Sequence, residues 1–374
     1  MRIVLNTREL APLGGIEVQL FQVARELALR GHDLDVLCRS DTGPFAAQYH
    51  QLARSVSVVP SFDVARRTAV IDLARIAPAV ARVRDRHGDV LYLSRIEEIV
   101  WAQLASRFAR IPLVCHLHHV TGYAPDLLVR LLSGVDHIAA VSQFLKERYV
   151  ALGLSPDRIT IIPNGVDPDE YAVADESMRL KARGELGLPP DAFVVLCYGR
   201  VIRQKGVHVL VEAWRRLGLD PAHHVLVVLG APDPADRGSY LGPLRDTAPA
   251  GVVWYHPRRD PVTFLHAADL VAVPTLAEES FGRVVIEAMA TGLPVVASRK
   301  GGIPEILDGP LSRLLVEPGD PEALATAIAD LLAWRSADPA LGESCTAVVR
   351  ARYPLSRTVE GTEALLTRAV AQRA

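Results

Sequence analysis

Two alternating series of strands and helices run along the 374-residue chain. Short runs of β-branched and aliphatic residues alternate with longer segments of helical spacing, which is typical of parallel sheets because parallel strands need long crossover connections. The predicted strands of the first series are 2–6, 34–38, 56–59, 90–94, 112–117, 137–142 and 159–167. Those of the second series are 193–199, 224–230, 252–255, 270–274, 293–298 and 312–316. We therefore predict an α/β fold of two Rossmann-like, doubly wound domains that face a central cleft.

The break between the two series predicts the domain organisation. Residues 168–192 are typical of a linker with one short helix. We place the domains at 1–168 and 169–354, and the apolar spacing of 355–374 predicts a final helix. At about 150 residues per domain, the chain length agrees with two domains.

The composition favours a cytoplasmic protein without nucleic-acid partners. The formal net charge is only −2, so no strong field attracts nucleic acid or an acidic membrane. The four cysteines show no C-x-x-C spacing, which favours a reducing compartment. The N-terminal apolar run is too short for a signal peptide, and no apolar segment reaches the ~18 residues that a membrane span needs.

The stretch ESFGRVVIE (279–287) follows a predicted strand and enters a helix near Gly282. Ligands of doubly wound sheets bind beyond the carboxyl ends of the strands, so this turn is a candidate site. We expect the amides of 280–282 to bind an anion such as phosphate, assisted by the helix dipole. Glu287 lies inside an apolar helix and needs hydrogen-bond donors, for which a ribose diol is suitable. The alternative is that Glu279 caps the helix and Glu287 pairs with an internal arginine.

A second candidate loop, GRVIRQKG (199–206), follows the first strand of the second series. Arg200 and Lys205 both emerge from it, so the two cations can converge on a diphosphate. Two solvated surface charges are the alternative. In the first series, Gly14 and Gly15 lie at the first strand-to-helix turn, where missing side chains let a ligand approach the backbone. Their spacing is not G-x-G-x-x-G and gives little support to a dinucleotide site.

Three histidines lie in CHLHH (115–119), at the end of another predicted strand. Strand alternation sends His116 and His118 to the same side. We favour a hydrogen-bonding histidine at the cleft over a zinc site, because no outlying Asp, Glu or Cys motif completes a ligand set. A purely structural cluster is the other alternative. The two D-x-D pairs, at 33–35 and 167–169, are poorly placed for magnesium, so we predict no metal site.

The segment 62–87 carries Arg75, Arg82 and Arg86 at helical spacing among apolar residues. A basic amphipathic helix of this kind can dock on anionic lipid. A solvated helix face, with arginine stems lying along apolar surface, is the commoner arrangement. We favour the solvated face, with peripheral membrane contact as the alternative.

In combination, these motifs resemble the retaining family-4 glycosyltransferases, which have the GT-B fold, along nearly the full chain. The resembling stretches are ESFGRVVIE with the following AMATGLPVVAS, GGIPEIL (301–307), GRVIRQKG, PNGVD (163–167) and GGIEVQLFQVARELALRGH (14–32). The E-x7-E pattern is the most specific of them. The resemblance implies an acceptor-binding N-terminal domain, a donor-binding C-terminal domain, and a final helix that crosses back onto the N-terminal domain.

The resemblance also implies that the second domain holds a nucleotide-diphosphate sugar as co-substrate, with no cofactor and no metal required. Arg200 and Lys205 would bind the diphosphate, Glu287 the ribose diol, and Glu279 the hydroxyls of the donor sugar. The remaining contacts would come from amides of the same turn, at Ser280, Phe281 and Gly282.

From the first domain, the resemblance brings His118 to the donor sugar near the reacting carbon and Gly15 against the diphosphate. Similar enzymes retain the anomeric configuration, so the acceptor would attack from the leaving-group face and a phosphate oxygen would accept its proton. The catalytic candidates are His118, Arg200, Lys205 and Glu279. Two positions depart from the family pattern: His256-Pro257 stands where a glycine is common, and His119 where Asp or Asn is frequent.

We expect a glycosyltransferase that moves a hexosyl group of the glucose or N-acetylglucosamine type from a UDP-sugar to a small, soluble acceptor. The alternatives are a GDP-mannose-dependent enzyme, a lipid-acceptor enzyme, a nucleotide-sugar 2-epimerase of the same fold and a non-catalytic nucleotide-sugar sensor. The acceptor-binding candidates are loop residues of the first domain: Gly14, Arg95, Glu97, Glu98 and Tyr123. Among them, Glu97 and Glu98 would attract an amino-sugar or aminocyclitol.

Overall fold

The computed structural model describes residues 1–12, 14–64, 68–232, 238–256 and 261–373. The chain forms two compact units, which are Gly165–Pro354 and Met1–Asn164 with the C-terminal segment from Leu355. The sequence places the boundary at 168, whereas residues 165–168 belong to the second unit. The physical reason is a backbone contact: the Val166 amide donates to the Tyr353 carbonyl at 3.0 Å, and a β-bridge joins Val166 to Pro354.

The first unit is built on a seven-stranded parallel sheet. Its strands are β1 (Arg2–Glu9), β2 (Asp33–Ser40), β3 (Ser55–Val58), β4 (Val90–Leu93), β5 (Leu113–Leu117), β6 (His137–Ala140) and β7 (Ile159–Ile161). The strand order is β3-β2-β1-β4-β5-β6-β7, so the chain order reverses between β1 and β4. The crossover helices are α1 (Gly15–Leu29), α2 (Ala46–Leu52), α3 (Ala69–Asp85), α4 (Ile99–Ala109), α5 (Pro125–Ser133) and α6 (Gln143–Ala151).

The second unit repeats this plan with a six-stranded parallel sheet. Its strands are β8 (Phe193–Tyr198), β9 (His224–Leu229), β10 (Val252–Tyr255), β11 (Leu270–Val273), β12 (Val295–Ser298) and β13 (Leu315–Val316). The strand order is β10-β9-β8-β11-β12-β13, and the reversal lies between β8 and β11. The helices are α7 (Glu176–Leu186), α8 (Val207–Leu217), α9 (Leu241–Asp246), α10 (Val262–Ala267), α11 (Arg283–Ala290), α12 (Ile303–Ile306), α13 (Pro321–Ala329), α14 (Trp334–Ala337) and α15 (Ala340–Arg352).

The final helix, α16 (Leu355–Arg373), belongs to the first unit. Its Val359 and Leu366 are fully buried in the same hydrophobic cluster as Leu20 and Phe21 of α1. Burial of this apolar stripe holds the helix on the N-terminal unit. The predicted return of the last helix is thereby confirmed, as is the α/β architecture of two doubly wound parallel sheets.

The amphipathic segment predicted at 62–87 is helical over α3, and residues 65–67 lie outside the described part of the chain. Arg75 and Arg82 are exposed on this helix. Arg86 differs, because its Nη2 donates to Ser57 Oγ at 2.7 Å and so holds the side chain on the sheet. No helix within the described ranges combines the length and the apolarity that crossing a membrane requires.

Candidate functional site

Two loops of the second unit meet at the point where its strand order reverses. Because β8 and β11 are neighbours, the loops 199–206 and 274–282 leave the same edge of the sheet side by side. The Leu276 and Ala277 amides donate to the Gln204 carbonyl at 2.8 and 3.2 Å. The prediction that these strand ends adjoin is therefore confirmed, and this edge is where ligands of doubly wound sheets bind.

Gly206 allows the close approach of these two loops. Its φ is +71°, and a Cβ built on it would lie 1.9 Å from the Pro274 carbonyl oxygen. Any other residue would push the loops apart and would also strain the backbone. Gly206, the last residue of GRVIRQKG, is therefore explained by the packing of the two loops within the second unit.

Lys205 and Glu279 form an ion pair across the two loops, from Lys205 Nζ to Glu279 Oε1. Their side chains are 33% and 22% exposed, so both remain accessible to a ligand. Thr275 Oγ1 gives Glu279 a weaker second contact at 3.4 Å. Arg200 is exposed and pairs with no residue that the structure describes. One of the two predicted cations is therefore bonded to the predicted sugar-binding acid, and the other faces solvent.

The turn between β11 and α11 is held by the loop that follows β12. The Gly302 amide donates to the Glu279 carbonyl at 2.7 Å, and a Cβ on Gly301 would lie 2.1 Å from that carbonyl oxygen. Gly282 is the N-cap of α11, as the sequence predicts. Phe281 is buried, with its ring 5.4 Å from that of Tyr353. The helix end is therefore fixed by packing on one side and by main-chain bonds on the other.

Glu287 is buried and already has hydrogen-bond donors within the protein. Tyr198 Oη donates to Glu287 Oε2 and Arg283 Nε donates to Oε1, both at 2.7 Å. Burial and the adjacent carboxylate raise the pKa of Tyr198 well above its usual value, so the phenol stays a proton donor. A ribose diol is therefore not needed to supply hydrogen-bond donors to Glu287, because an internal arginine at i−4, the alternative left open by the sequence, and a strand tyrosine pair with it.

In the first unit, the loops at the reversal between β1 and β4 are joined by an ion pair. α1 begins at Gly15 after an extended, exposed Gly14. Glu17, in the first turn of α1, accepts from Arg95 Nη2, which follows β4. Gly14, Gly15 and Arg95 are thus brought to one edge. Glu17 was not among the predicted site residues, because its only local signal is an acid in a first helical turn.

His116 and His118 project to the same side of β5, as predicted. Their ring centroids are 4.5 Å apart. His116 is buried, with Nδ1 2.9 Å from Tyr92 Oη and Nε2 3.0 Å from the Ile162 carbonyl. Burial lowers the pKa of His116 to about 4, so its ring is neutral, with Nε2–H donating to the carbonyl. His116 is a structural residue, whereas His118 is only partly buried and stays the candidate for ligand contact.

His119 and Glu97 form a pair, from His119 Nε2 to Glu97 Oε1. Burial alone would raise the pKa of Glu97, but the bond and charge of His119 outweigh it and lower the pKa below its usual value. Tyr123 Oη donates to the Glu97 carbonyl at 3.0 Å. Glu97, Tyr123 and the unusual His119 therefore form one cluster. The other departure from the family pattern is His256-Pro257. His256 is exposed, and Pro257 lies outside the described residues.

Glu98 is fully buried and is bonded to β1. Arg8 Nε donates to Glu98 Oε1 at 2.8 Å, and Asn6 Nδ2 donates to Oε2. Burial is the largest influence and raises the pKa of Glu98 despite the neighbouring arginine. Its carboxylate is not presented to solvent, so we do not retain it as an acceptor contact.

A cavity of about 660 Å³ opens at the same edge of the first sheet. Arg8 and Arg39 line it from the ends of β1 and β2, and Arg95 lines it from the loop after β4. Arg8 and Arg39 were not among the predicted site residues. Their one signal is a cation at the end of a predicted strand, which becomes informative only when the strand order is known.

The D-x-D pair at 33–35 has a structural explanation. Asp35 is fully buried and accepts from Arg54 at 2.5 Å. Within the described ranges, no group of three or more His, Cys, Asp or Glu side chains could hold a metal ion. Metal independence of the reaction stays a prediction.

Both halves of the chain match sequence models of known protein families. Residues 13–170 match the sequence model described as Glycosyltransferase Family 4, and residues 192–333 match the one described as Glycosyl transferases group 1. The D-inositol 3-phosphate glycosyltransferase of Acidothermus cellulolyticus is 31% identical over 400 residues, covering 96% of this chain and 87% of that protein. The enzyme of the same name from Xylanimonas cellulosilytica is 31% identical, covering 86% and 84%.

Solved structures agree with this placement. HepE from Anabaena, in complex with UDP and glucose, has a TM-score of 0.84 at 26% identity and covers 98% of this chain and 99% of its own. Sucrose-phosphate synthase from Thermosynechococcus elongatus has a TM-score of 0.81 at 22% identity over 100% of both chains, a likeness of fold alone. The class is therefore that of GT-B glycosyltransferases. The chain belongs to glycosyltransferase family 4.

Proposed function

We propose that this protein is a retaining, metal-independent hexosyltransferase that uses a UDP-sugar of the glucose or N-acetylglucosamine type. The observation that carries the proposal is the meeting of loops 199–206 and 274–282, which brings Lys205 and Glu279 together at the reversal point of the second sheet. The likeness to HepE, solved with UDP and with UDP-glucose, supports a UDP-linked donor. The names of the relatives support an enzyme that glycosylates a small molecule.

Glu287 would bind the ribose of the nucleotide. Its bonds to Tyr198 and Arg283 occupy one acceptor position on each carboxylate oxygen. A carboxylate offers about four such positions, so capacity remains for two ribose hydroxyls. The two protein donors would keep the buried carboxylate oriented before nucleotide arrives, which lowers the entropy cost of binding.

Lys205 and Arg200 would stabilise the leaving group. When the anomeric C–O bond breaks, its electron pair goes to the diphosphate and the sugar ring becomes positively charged. Two cations and the amides at the start of α11 oppose the negative charge, a role that a metal ion fills in other enzymes. Lys205 would shift from Glu279 to the diphosphate, which leaves the Glu279 carboxylate to accept hydrogen bonds from sugar hydroxyls.

Retention of configuration would follow from attack on the leaving-group face. The acceptor hydroxyl forms the new C–O bond on the side that the diphosphate leaves, and its proton passes to a phosphate oxygen. No protein carboxylate is needed as a base in this scheme. His118 would donate a hydrogen bond to the donor sugar near the reacting carbon, and Gly15 would let the diphosphate approach the backbone.

Nucleotide binding tests the donor assignment without an acceptor. We expect UDP to raise the melting temperature more than GDP or dTDP does, because a ligand at 100 times its Kd adds about 2.7 kcal/mol of stability. A shift with GDP alone would overturn the UDP assignment. Incubation with UDP-N-acetylglucosamine and no acceptor adds a second check. Conversion of the sugar while it stays attached to UDP would show an epimerase instead of a transferase.

A further inference from the structure

The cavity in the first unit lies at the ends of strands β1, β2 and β3 and beside the loop after β4. Its lining consists of Arg8, Arg39 and Arg95, the exposed acid Glu9, Ser40 and the apolar residues 58–60. Its volume of about 660 Å³ is within the usual range for small-molecule sites. The carboxyl edge of a doubly wound sheet is also where such ligands bind. A cavity of this kind is suited to an acceptor of sugar or polyol size.

Two of the three arginines are held from behind by buried acids. Arg8 is 32% exposed and its partner Glu98 is fully buried, while Arg95 is 23% exposed and its partner Glu17 only 5%. In each pair the arginine lines the cavity and the acid does not. A guanidinium carries several N–H donors in a fixed plane, so one buried partner orients it without using all of them.

Asp63 is the exposed acid of this network. Arg8 Nη2 donates to its Oδ1 at 2.5 Å, and Arg39 Nη1 donates to its Oδ2 at 3.4 Å. The Asp63 side chain is 44% exposed, and it is the one described ion-pair partner of Arg39. A carboxylate therefore already bridges Arg8 and Arg39. An anion of a ligand can take this place if Asp63 turns toward solvent.

The charge balance favours such an exchange. The three arginines are paired with Glu17, Glu98 and Asp63, and the exposed Glu9 adds a fourth carboxylate at the cavity. A singly charged anion that takes the place of Asp63 leaves this charge balance as it was. When Asp63 leaves, two guanidinium groups remain without that carboxylate. Charge-assisted, bidentate bonds to arginine are the strongest hydrogen bonds a phosphate or carboxylate makes in proteins.

We propose that the acceptor carries an anionic group, a phosphate monoester or a carboxylate, and that Arg8, Arg39 and Arg95 bind this group in place of the Asp63 carboxylate. The inference rests on the proposed function and adds to it the class of acceptor. It replaces the expectation of an amino-sugar acceptor, because Glu98 is buried and Glu97 is paired with His119.

Matched acceptors test this inference in the full-length enzyme with UDP-glucose. The pairs are glucose against glucose 6-phosphate and glucuronate, and myo-inositol against its monophosphates. We expect a KM for the charged member at least tenfold lower than for the neutral one, since a charged group gains bonds to arginine. Preference for the phosphates over glucuronate identifies a phosphate monoester, and the reverse order identifies a carboxylate.

Two substitutions with opposite expected effects separate binding from structure. Arg39→Gln should raise the KM for the charged acceptor about tenfold, whereas Asp63→Asn should lower it several-fold by removing the competing anion. Arg82→Gln makes the same charge change on the exposed face of α3 and should leave KM unchanged. If Arg39 and Asp63 served only to hold the fold, both substitutions would weaken binding.

A direct measurement distinguishes failure of the inference from failure of the proposed function. Calorimetric titration of glucose 6-phosphate into the UDP-bound protein should show binding that Arg39→Gln weakens. If UDP itself does not bind, the proposed function is wrong, and this inference fails with it. If UDP binds and neutral acceptors are used as well as charged ones, or Asp63→Asn weakens binding, the inference alone is overturned.

Discussion

At the reversal point of the second sheet the described loops are joined through main-chain atoms, whereas at the reversal point of the first sheet β1 and its following helix are joined to the loop after β4 through charged side chains. Leu276 bonds to the Gln204 carbonyl and Gly302 to the Glu279 carbonyl. In the first unit the corresponding links are ion pairs of Arg95 with Glu17 and of Arg8 with Glu98. Main-chain links depend on few side chains other than glycine. Ion-pair links can change with a single substitution while the fold is kept.

This difference suggests how the two edges divide their work under the proposed function. The edge of the second sheet, where the donor would bind, must present amides and cations at fixed positions to a diphosphate. A backbone fixed by main-chain hydrogen bonds does so without a free-energy cost of rearranging during the reaction. The edge of the first sheet, where the acceptor would bind, must distinguish one small molecule from others. Charged side chains that can exchange one ion-pair partner for another are able to do this. We therefore expect substitutions at the two edges to change different kinetic constants.

The largest expected effect comes from Lys205, which forms an ion pair with Glu279 across loops 199–206 and 274–282. Lys205→Ala should lower kcat by about 10²-fold or more, because transition-state charge on the diphosphate loses a cation. The melting temperature should hardly change, since Lys205 and Glu279 are partly exposed. Lys181→Ala, at an exposed position of α7, is the control. An unchanged kcat in Lys205→Ala would remove this residue from the mechanism.

Substitution of two glycines tests the main-chain contact that holds the turn before α11. Gly301→Ala should raise the KM for the donor at least tenfold, because its Cβ would lie 2.1 Å from the Glu279 carbonyl oxygen and displace the turn before α11. Gly309→Ala shares the positive φ, at +53° against +64°, but has no atom within 4 Å of the new Cβ. Both substitutions strain the backbone by about 1–3 kcal/mol.

Only Gly301→Ala should therefore affect donor binding beyond its effect on stability, and neither should affect the KM for the acceptor. Steady-state kinetics with denaturation curves for both variants give the comparison. Equal donor KM values in the two variants would mean that the turn does not depend on this contact.

The same contrast explains what the sequence predicted. The two sheets, the return of α16 and the meeting of loops 199–206 and 274–282 follow from strand patterns and from glycine-rich turns, which are local signals. The bond between Arg283 and Glu287 was also visible as an i, i+4 spacing, and was weighed as an alternative.

The network of Arg8, Arg39 and Asp63 could not be predicted in this way. Its members lie 55 and 24 residues apart and become neighbours only because β1, β2 and the loop after β3 share an edge. The pairing of Arg95 with Glu17 spans 78 residues. Such pairs depend on strand order and on side-chain direction, which a single sequence does not state.

Arg283 is an exception within the second unit, because its buried side chain, and not a main-chain atom, orients Glu287, the candidate ribose-binding residue. Arg283→Met should weaken UDP binding about fivefold to tenfold, since Glu287 loses one of its two donors. Arg283→Lys should restore part of it. Titration with UDP and with its 2′,3′-dideoxy analogue gives the decisive comparison. If Arg283 acts through Glu287 on the ribose, the preference for UDP shrinks; if it only supports the fold, both ligands lose affinity equally.

The smallest expected effect concerns His116, a residue at the first edge that is held by neutral hydrogen bonds instead of ion pairs. Burial lowers its pKa in the folded state from 6.5 to about 4, so between these values the unfolded chain binds the extra proton. The contribution to stability is complete above about pH 6.5 and falls as the pH drops, by about 1 kcal/mol at pH 5.5. Burial raises the pKa of Glu98, so titration of that carboxyl group changes the stability in the opposite sense to His116, and variants must be compared to isolate the histidine.

Urea unfolding at pH 7.5 and pH 5.5 therefore separates the histidine from the charged network. His116→Gln has no group that titrates here and can still bond to Tyr92 and to the Ile162 carbonyl, so the loss of stability between the two pH values should become smaller. His50→Gln, at an exposed position of the same unit, should leave that loss as it is in the unsubstituted protein. If His116→Gln lost as much stability between pH 7.5 and pH 5.5 as the unsubstituted protein, another group would be responsible for the loss. The end of β5 would then not differ from the ion-paired part of this edge in the way that a neutral His116 implies.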